Sequence, residues 1–96
     1  MDVQSREVVV DDTRVSLTAK EFDLLAALIG ARGRPMSRAR LLREVWGYEN
    51  PDEVDSRTVD VHIRRLRRKL GPESVRLETL KHVGYRFDAD VPARPT

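Results

Sequence analysis

The sequence predicts an α+β domain in which an N-terminal strand hairpin is followed by three helices and a C-terminal strand hairpin. Strand-forming runs at both ends of the chain, each interrupted by a short turn segment, predict the hairpins. Apolar residues at helical spacing between them, bounded by capping residues and glycines, predict the helices. The length of 96 residues fits a single domain over residues 1–96, with its core at about 6–88.

Composition argues against several classes of protein. The chain has no cysteine, and its two histidines, His62 and His82, lie far apart without clustered carboxylates, so we expect no disulfide, no metal and no cofactor. No apolar run approaches the roughly 18–20 residues of a membrane span, which predicts a soluble, cytoplasmic protein. An enzyme is not expected, because the serines lack a paired histidine motif and the sequence has no glycine-rich phosphate loop.

The first two helices have clear start and stop signals. Thr18, with Glu21 three residues later, forms a capping-box signature for the first helix, which can end at Gly30 or Gly33. Ser37 is the expected N-cap of the second helix. The side chains expected to face the core are Phe22, Leu25, Leu28 and Ile29 in the first helix and Leu41, Leu42 and Val45 in the second, which stops at Gly47.

Turn residues separate the remaining elements. An Asp-Asp-Thr cluster at 11–13 divides the N-terminal hairpin, and a polar loop with an Asn-Pro pair precedes the third helix. This helix is expected over residues 56–70, capped by Asp55 or Ser56 and closed by a Gly-Pro pair. The C-terminal hairpin is predicted at 75–87, with Lys-His-Val at its turn.

The third helix carries a high concentration of positive charge. Residues 57–69 read RTVDVHIRRLRRK, and six of these thirteen side chains are cationic while one is anionic. On a helical wheel, one narrow apolar stripe faces the core, and the opposite face places one β-branched residue among arginines without any acid. The stripe comprises Val59, Ile63, Leu66 and Leu70, and the opposite face comprises Arg57, Val61, Arg64 and Arg68.

A face of this kind fits the major groove of double-stranded DNA. Fifteen of the eighteen basic residues are arginine, whose planar fork suits phosphates and guanine edges. Water does not favour an exposed valine side chain, whereas the methyl group of thymine in the major groove offers it an apolar contact. Two helices with a strand hairpin after them also fit helix-turn-helix proteins that carry a wing. Two alternatives stay open at this point: a face that is merely solvated, and a module that binds an acidic protein partner.

Four segments together resemble the winged-helix output domain of OmpR/PhoB-type two-component response regulators. They read LTAKEFDLLAAL, SRARLLREVWG, SRTVDVHIRRLRRKLG and VGYRF, in the family's order and spacing, from about Leu17 to Phe87. The resemblance implies a winged helix-turn-helix domain with a four-stranded N-terminal sheet. It also implies sequence-specific binding of double-stranded DNA, with recognition helix 56–70 in the major groove and hairpin 75–87 as the wing, in the service of transcription regulation by phosphorelay.

The resemblance also implies a role for individual residues on the third helix and the wing. Base contacts are implied for Val61, Arg64 and Arg65, with Asp60 as a further candidate. Contacts with the DNA backbone are implied for Trp46, Arg57, Thr58, His62, Arg67, Arg68, Thr79 and Tyr85. For Trp46 a place in the core is the alternative, and Thr79 and Tyr85 also suit strands without any function.

Two further surfaces follow from the resemblance. Lys81 and His82 at the wing tip are expected to reach the minor groove, although the family usually has Arg-Gly there. The loop after the second helix is expected to meet RNA polymerase through Tyr48, Glu49, Asn50, Asp52 and Glu53.

The resemblance carries expectations about the rest of the regulator as well. Sixteen residues precede Leu17, fewer than is usual in the family, which predicts a truncated N-terminal sheet. The receiver domain is absent, so we expect a fragment of a longer regulator. Alone it should be a monomer, and it should pair in tandem on direct repeats of DNA.

Overall fold

The computed structural model describes residues 6–10, 12–50 and 55–88 and has the predicted order of hairpin, three helices and hairpin. The α+β class is therefore confirmed. The elements are β1 (Glu7–Val10), β2 (Thr13–Ser16), α1 (Ala19–Gly30), α2 (Arg38–Trp46), α3 (Arg57–Leu70), a 3-10 helix (Gly71–Arg76), β3 (Leu77–Leu80) and β4 (Gly84–Phe87).

The strands form two separate antiparallel hairpins. Within the described ranges the N-terminal sheet has two strands, whereas the resemblance implies four. The connector between α1 and α2 adds an isolated bridge to β4, where Met36 and Tyr85 exchange two backbone hydrogen bonds of 2.8 and 2.9 Å. This bridge fastens the C-terminal hairpin to the helical body.

The predicted start of the C-terminal hairpin at residue 75 is wrong by two residues. Gly71–Arg76 forms a 3-10 helix with Pro72 near its beginning, and β3 starts at Leu77. Gly71 leaves the path of α3 with φ of 56°, and the fixed φ angle of Pro72 then suits a new 3-10 turn, so the strand begins later than Val75 suggests. The turn at 81–83 lies where it is predicted.

Side-chain caps begin the first two helices as predicted. The Glu21 N–H donates to Thr18 Oγ1 at 3.2 Å, and the Thr18 N–H donates to Glu21 Oε1 at 2.9 Å, which completes the capping box. The Arg40 N–H donates to Ser37 Oγ at 3.1 Å at the start of α2. Gly47 ends this helix in the left-handed conformation, with φ of 75°. Local sequence therefore determines where α1 and α2 begin.

The hydrophobic core lies where the three helices meet. The helix α1 contacts both α2 and α3, and β4 packs on α1. The apolar stripe of α3 and the inward residues of α2 are buried as predicted. The prediction that Ile29 faces the core is wrong, because it is 38% exposed at the rim of a 520 Å³ groove beside β1. No helix in the described ranges is long and apolar enough to cross a membrane.

One carboxylate lies inside this core. Glu21 is 1% exposed, and its Oε1 accepts a hydrogen bond from Lys69 Nζ of α3 at 2.6 Å. Burial raises the pKa of Glu21, but the hydrogen bonds from Lys69 and Thr18 outweigh burial, so the pKa lies below its usual 4.5. The pair joins the first turn of α1 to the last turn of α3.

We expect Glu21→Gln to change how stability depends on acid. A carboxylate with a lowered pKa in the folded state stabilises the fold above its unfolded pKa, and this contribution is lost as the pH falls through the folded pKa. The substitution should lower the free energy of unfolding at neutral pH by about 1–3 kcal/mol. It should also flatten the fall in stability below pH 4.5. Denaturant unfolding at stepped pH measures both effects.

The matched control is Glu44→Gln, which removes an exposed pair with Arg40 on α2. Exposed pairs contribute little, so this variant should keep the profile of the unchanged chain. Identical acid profiles for Glu21→Gln and the unchanged chain would contradict the prediction.

Candidate nucleic-acid interface

The outward face of α3 is exposed and basic. Arg64, Arg65 and Arg68 are exposed, and none of them takes part in a hydrogen bond or ion pair with another described residue. Their guanidinium groups are therefore available for an external anion. The apolar residues of α3 recur on one buried stripe, and this spacing leaves the arginines on the opposite side of the helix.

Arg57 begins the same face and has a local partner. Its N–H donates to Asp55 Oδ1 at 2.9 Å, and its guanidinium forms an ion pair with the same carboxylate at 2.8 Å. The pKa of Asp55 is lowered by these bonds. Ser56 holds the N-cap position without a side-chain hydrogen bond, so Asp55, the other predicted cap, supplies the bond.

Val61 lies on the exposed face, as predicted, with 36% of its surface accessible. Arg57 and Arg64 stand one turn before and one turn after it on the helix. A β-branched apolar side chain among cations offers methyl groups to a partner that is otherwise anionic. DNA has this combination of a phosphate backbone and thymine methyl groups in the major groove.

Trp46, Thr58 and His62 form the junction between α2 and α3. His62 Nδ1 lies 2.7 Å from the Thr58 carbonyl oxygen, which can only accept, so Nδ1 is the donor. The rings of His62 and Trp46 meet edge to face, with centroids 5.0 Å apart and planes at 80°. Trp46 is also partly buried against the core, in line with its alternative reading. Contact of these three residues with DNA stays a prediction.

Asp60 is engaged inside the molecule. Arg38 Nε donates to Asp60 Oδ1 at 2.7 Å, and the Tyr85 hydroxyl donates to the same oxygen. Burial raises the pKa of Asp60, but the hydrogen bonds from Tyr85 and Arg38 outweigh burial, so its pKa is lowered. Burial and the bond to Asp60 raise the pKa of Tyr85. Base contact by Asp60 stays a prediction, against which these bonds compete.

Arg67 and Thr79 also contact each other. Arg67 Nη2 donates to Thr79 Oγ1 at 2.7 Å and to the Leu77 carbonyl oxygen at 2.8 Å. This guanidinium therefore joins α3 to β3. The predicted contacts of both residues with the DNA backbone stay predictions.

The wing turn exposes Lys81, His82 and Val83. His82 has φ of 65°, the left-handed conformation that glycine adopts most easily. The family's usual glycine at this position therefore has a conformational reason, and histidine adopts the same backbone here at a cost. The tip is placed to reach outward, and its contact with a minor groove stays a prediction.

Gly84, directly after the turn, is required by close approach. A Cβ atom at this position would stand 2.0 Å from the carbonyl oxygen of Met36 and 2.9 Å from Ser37 Cα. Its φ of 149° is also unusual for residues that have a side chain. This glycine lets β4 lie against the connector before α2.

The loop after α2 is described only in part. Tyr48 is 40% exposed, and Glu49 and Asn50 are exposed. Asp52 and Glu53, which are also predicted to meet RNA polymerase, lie outside the described residues. The described part of the chain contains no group of three or more histidine, cysteine, aspartate or glutamate side chains that could hold a metal ion.

Sequence reasoning missed Arg38 and Lys69. Both appear from their positions to be ordinary surface cations, and their partners lie 22 and 48 residues away. No local pattern reports a contact of this range, so only the folded chain reveals the two carboxylates that they bind.

Three helices, an exposed basic third helix and a terminal hairpin tied to it define a winged helix-turn-helix domain. The profile of the family described as "Transcriptional regulatory protein, C terminal" matches residues 12–87. The chain belongs to this family, which confirms the resemblance to OmpR/PhoB-type regulators.

Individual relatives support the assignment. The chain is 44% identical over 90 residues to "Probable transcriptional regulator ycf27" of Guillardia theta, covering 91% of this chain and 35% of that protein. The solved Klebsiella pneumoniae RstA DNA-binding domain in complex with RstA box has a TM-score of 0.75 and 35% identity, covering 91% of this chain and 87% of that one. The response regulator AdeR DNA binding domain, in complex with an intercistronic region, has a TM-score of 0.75 and 26% identity, covering 92% and 90%.

The chain spans little more than a third of the length of the curated relatives that it matches. These relatives therefore contain segments that have no counterpart in the 96 residues.

Proposed function

We propose that the chain is the output domain of a two-component response regulator and binds double-stranded DNA in a sequence-specific manner. In this proposal α3 enters the major groove and the β3–β4 hairpin is the wing. Residues 1–96 form one domain with its core at about 6–88, and the domain has no catalytic activity of its own.

The observation that carries the proposal is the outward face of α3. It offers three exposed arginines whose guanidinium groups form no hydrogen bond or ion pair with a described residue, and one exposed valine between cations. Arginine is the commonest reader of guanine in the major groove, and it also neutralises phosphates. The solved RstA and AdeR DNA-binding domains, which are in complex with RstA box and with an intercistronic region, add support.

The competing function is a protein-interaction module whose basic face meets an acidic partner. A basic face suits that function too, but an acidic protein offers Val61 no regular counterpart.

The two functions differ in sequence preference. In vitro selection from random duplexes should yield a direct repeat, and a gel shift should then show tighter binding to it than to a shuffled duplex at physiological salt. Equal binding of the two duplexes would favour the acidic partner.

Arg65→Ala tests the assignment of a base contact. We expect it to lose about 1–3 kcal/mol of discrimination at one base pair of the selected site, because one bidentate contact is removed. Thr58→Ala should weaken binding to all sequences alike. The charge-matched control is Arg14→Ala on β2, which should keep the discrimination of the unchanged chain. Equal losses on the selected and shuffled duplexes for Arg65→Ala would refute the assigned role.

The proposal extends to partners. The regulator acts in the cytoplasm, and its receiver domain precedes this domain in the longer protein. The isolated chain is a monomer that pairs in tandem on direct repeats. The loop that includes Tyr48, Glu49 and Asn50 is the surface for RNA polymerase, and its exposure supports this role.

A further inference from the structure

We infer that Asp60 is a positioning residue, which holds the β3–β4 wing against α3 so that both elements meet DNA in one register. The inference has two halves. The structural half, that Asp60 anchors the wing, concerns the free protein alone. The functional half, that the anchored wing and α3 meet DNA in one register, rests on the proposed function.

Asp60 is where three elements meet. It belongs to α3, and its Oδ1 accepts one hydrogen bond from Arg38 of α2 and one from the hydroxyl of Tyr85 of β4. The two partners lie 22 and 25 residues away along the chain. One carboxylate oxygen therefore joins the helix pair to the wing.

Tyr85 carries this connection into the hairpin. It is 4% exposed, so its hydroxyl would lose its carboxylate acceptor without gaining free access to water if Asp60 were removed. Its backbone pairs with Met36, which fixes the other end of the residue to the connector before α2. The tyrosine is thus held both through its main chain and through its side chain.

Arg67 adds a second tether from α3. Its Nη2 binds the Leu77 carbonyl and Thr79 Oγ1 of β3. The guanidinium carbons of Arg38 and Arg67 each lie 5.8 Å from the centroid of the Tyr85 ring, within the range of cation–π attraction. Side chains from α2 and α3 therefore converge on one aromatic ring of the wing.

The negative charge of Asp60 also makes it less suited to contact DNA than the cationic residues of α3. A carboxylate near phosphates is repelled, whereas a carboxylate between two donors is satisfied within the protein. To reach a base, Asp60 would have to leave both Arg38 and the buried Tyr85 hydroxyl. A wing that is already anchored in the free protein loses less conformational entropy when DNA binds, and this smaller loss favours affinity.

Hydrogen exchange on the DNA-free chain tests the structural half. Asp60→Asn and Tyr85→Phe should each speed exchange of the hairpin amides about tenfold or more, because charge-assisted bonds that resist local opening are lost. The amides of α1 should exchange at the rate of the unchanged chain. Equal acceleration in the hairpin and α1, or no acceleration in either, would overturn the inference.

Binding to two duplexes tests the functional half. The longer duplex carries the selected site with the flanking base pairs beneath the wing, and the shorter one lacks that flank. Asp60→Asn should bind the longer duplex about tenfold more weakly than the unchanged chain but match it on the shorter one. Lys81→Ala is the control: it should show the same dependence on duplex length, with normal exchange of the hairpin amides.

The outcomes separate this inference from the proposed function. If the unchanged chain shows no preference for the selected site, the proposed function fails, while hydrogen exchange still decides whether Asp60 anchors the wing. If Asp60→Asn loses discrimination at one base pair on both duplexes and the hairpin exchanges normally, Asp60 reads a base and the inference is overturned.

Discussion

The affinity for the selected DNA site should fall about 250- to 1,000-fold when monovalent salt rises from about 50 mM to about 200 mM. The reason is the release of counterions from phosphates that the protein neutralises. The exposed arginines of α3 and Lys81 at the wing tip provide for about four to six cationic contacts with the DNA, which gives a slope of log K against log salt of roughly −4 to −5. Fluorescence anisotropy over a salt series measures this slope.

Single substitutions measure how much each side chain contributes to that slope. Arg68→Ala should make it shallower by about one, because one phosphate contact is lost. Arg14→Ala removes the same charge from β2, which carries none of the predicted DNA contacts, and should leave the slope unchanged. A slope shallower than about −2 for the unchanged chain would mean that the basic face of α3 does not meet the DNA backbone.

Gly84→Ala should cost about 3 kcal/mol of folding free energy or more. The added Cβ would stand 2.0 Å from the oxygen and 2.7 Å from the carbon of the Met36 carbonyl, and backbone atoms at that distance must move apart. The bridge between Met36 and Tyr85 would then open. We expect the midpoint of thermal unfolding to drop by about 12 °C or more, as followed by circular dichroism.

The matched control is Gly30→Ala at the end of α1, where a Cβ would meet nothing within 4 Å. Alanine is the better helix former, so this variant should be as stable as the unchanged chain or slightly more stable. An unfolding midpoint for Gly84→Ala equal to that of Gly30→Ala would show that the hairpin does not depend on its contact with the connector.

The elements that local sequence controls could be predicted. The capping box of Thr18 and Glu21, the Ser37 cap and the buried stripe of α3 depend on residues three or four apart, and all were predicted correctly. The outward position of Val61 follows from the same helical period. Locally encoded features of this kind also position the basic face, which is why its exposure could be predicted from the sequence.

Features that depend on distant partners could not be predicted. Asp60 has the charge and the position of a base-reading residue, and only the fold brings Arg38 and Tyr85 to it. The predicted start of β3 is too early because Val75 has strand propensity, whereas the 3-10 helix that contains Pro72 extends to Arg76. Ile29 has the spacing of a core residue but lines an open groove beside β1, where its side chain stays exposed.

The Met36–Tyr85 bridge has a consequence for how the chain acquires its shape. The described hairpins pair near neighbours, Val10 with Thr13 and Leu80 with Gly84, and local pairings of this kind form quickly. The bridge instead closes a long loop, which costs chain entropy. It can therefore form only once other contacts offset that cost. Because a ribosome makes β4 after all three helices, the helical bundle can assemble first and then serve as the template on which the last strand docks.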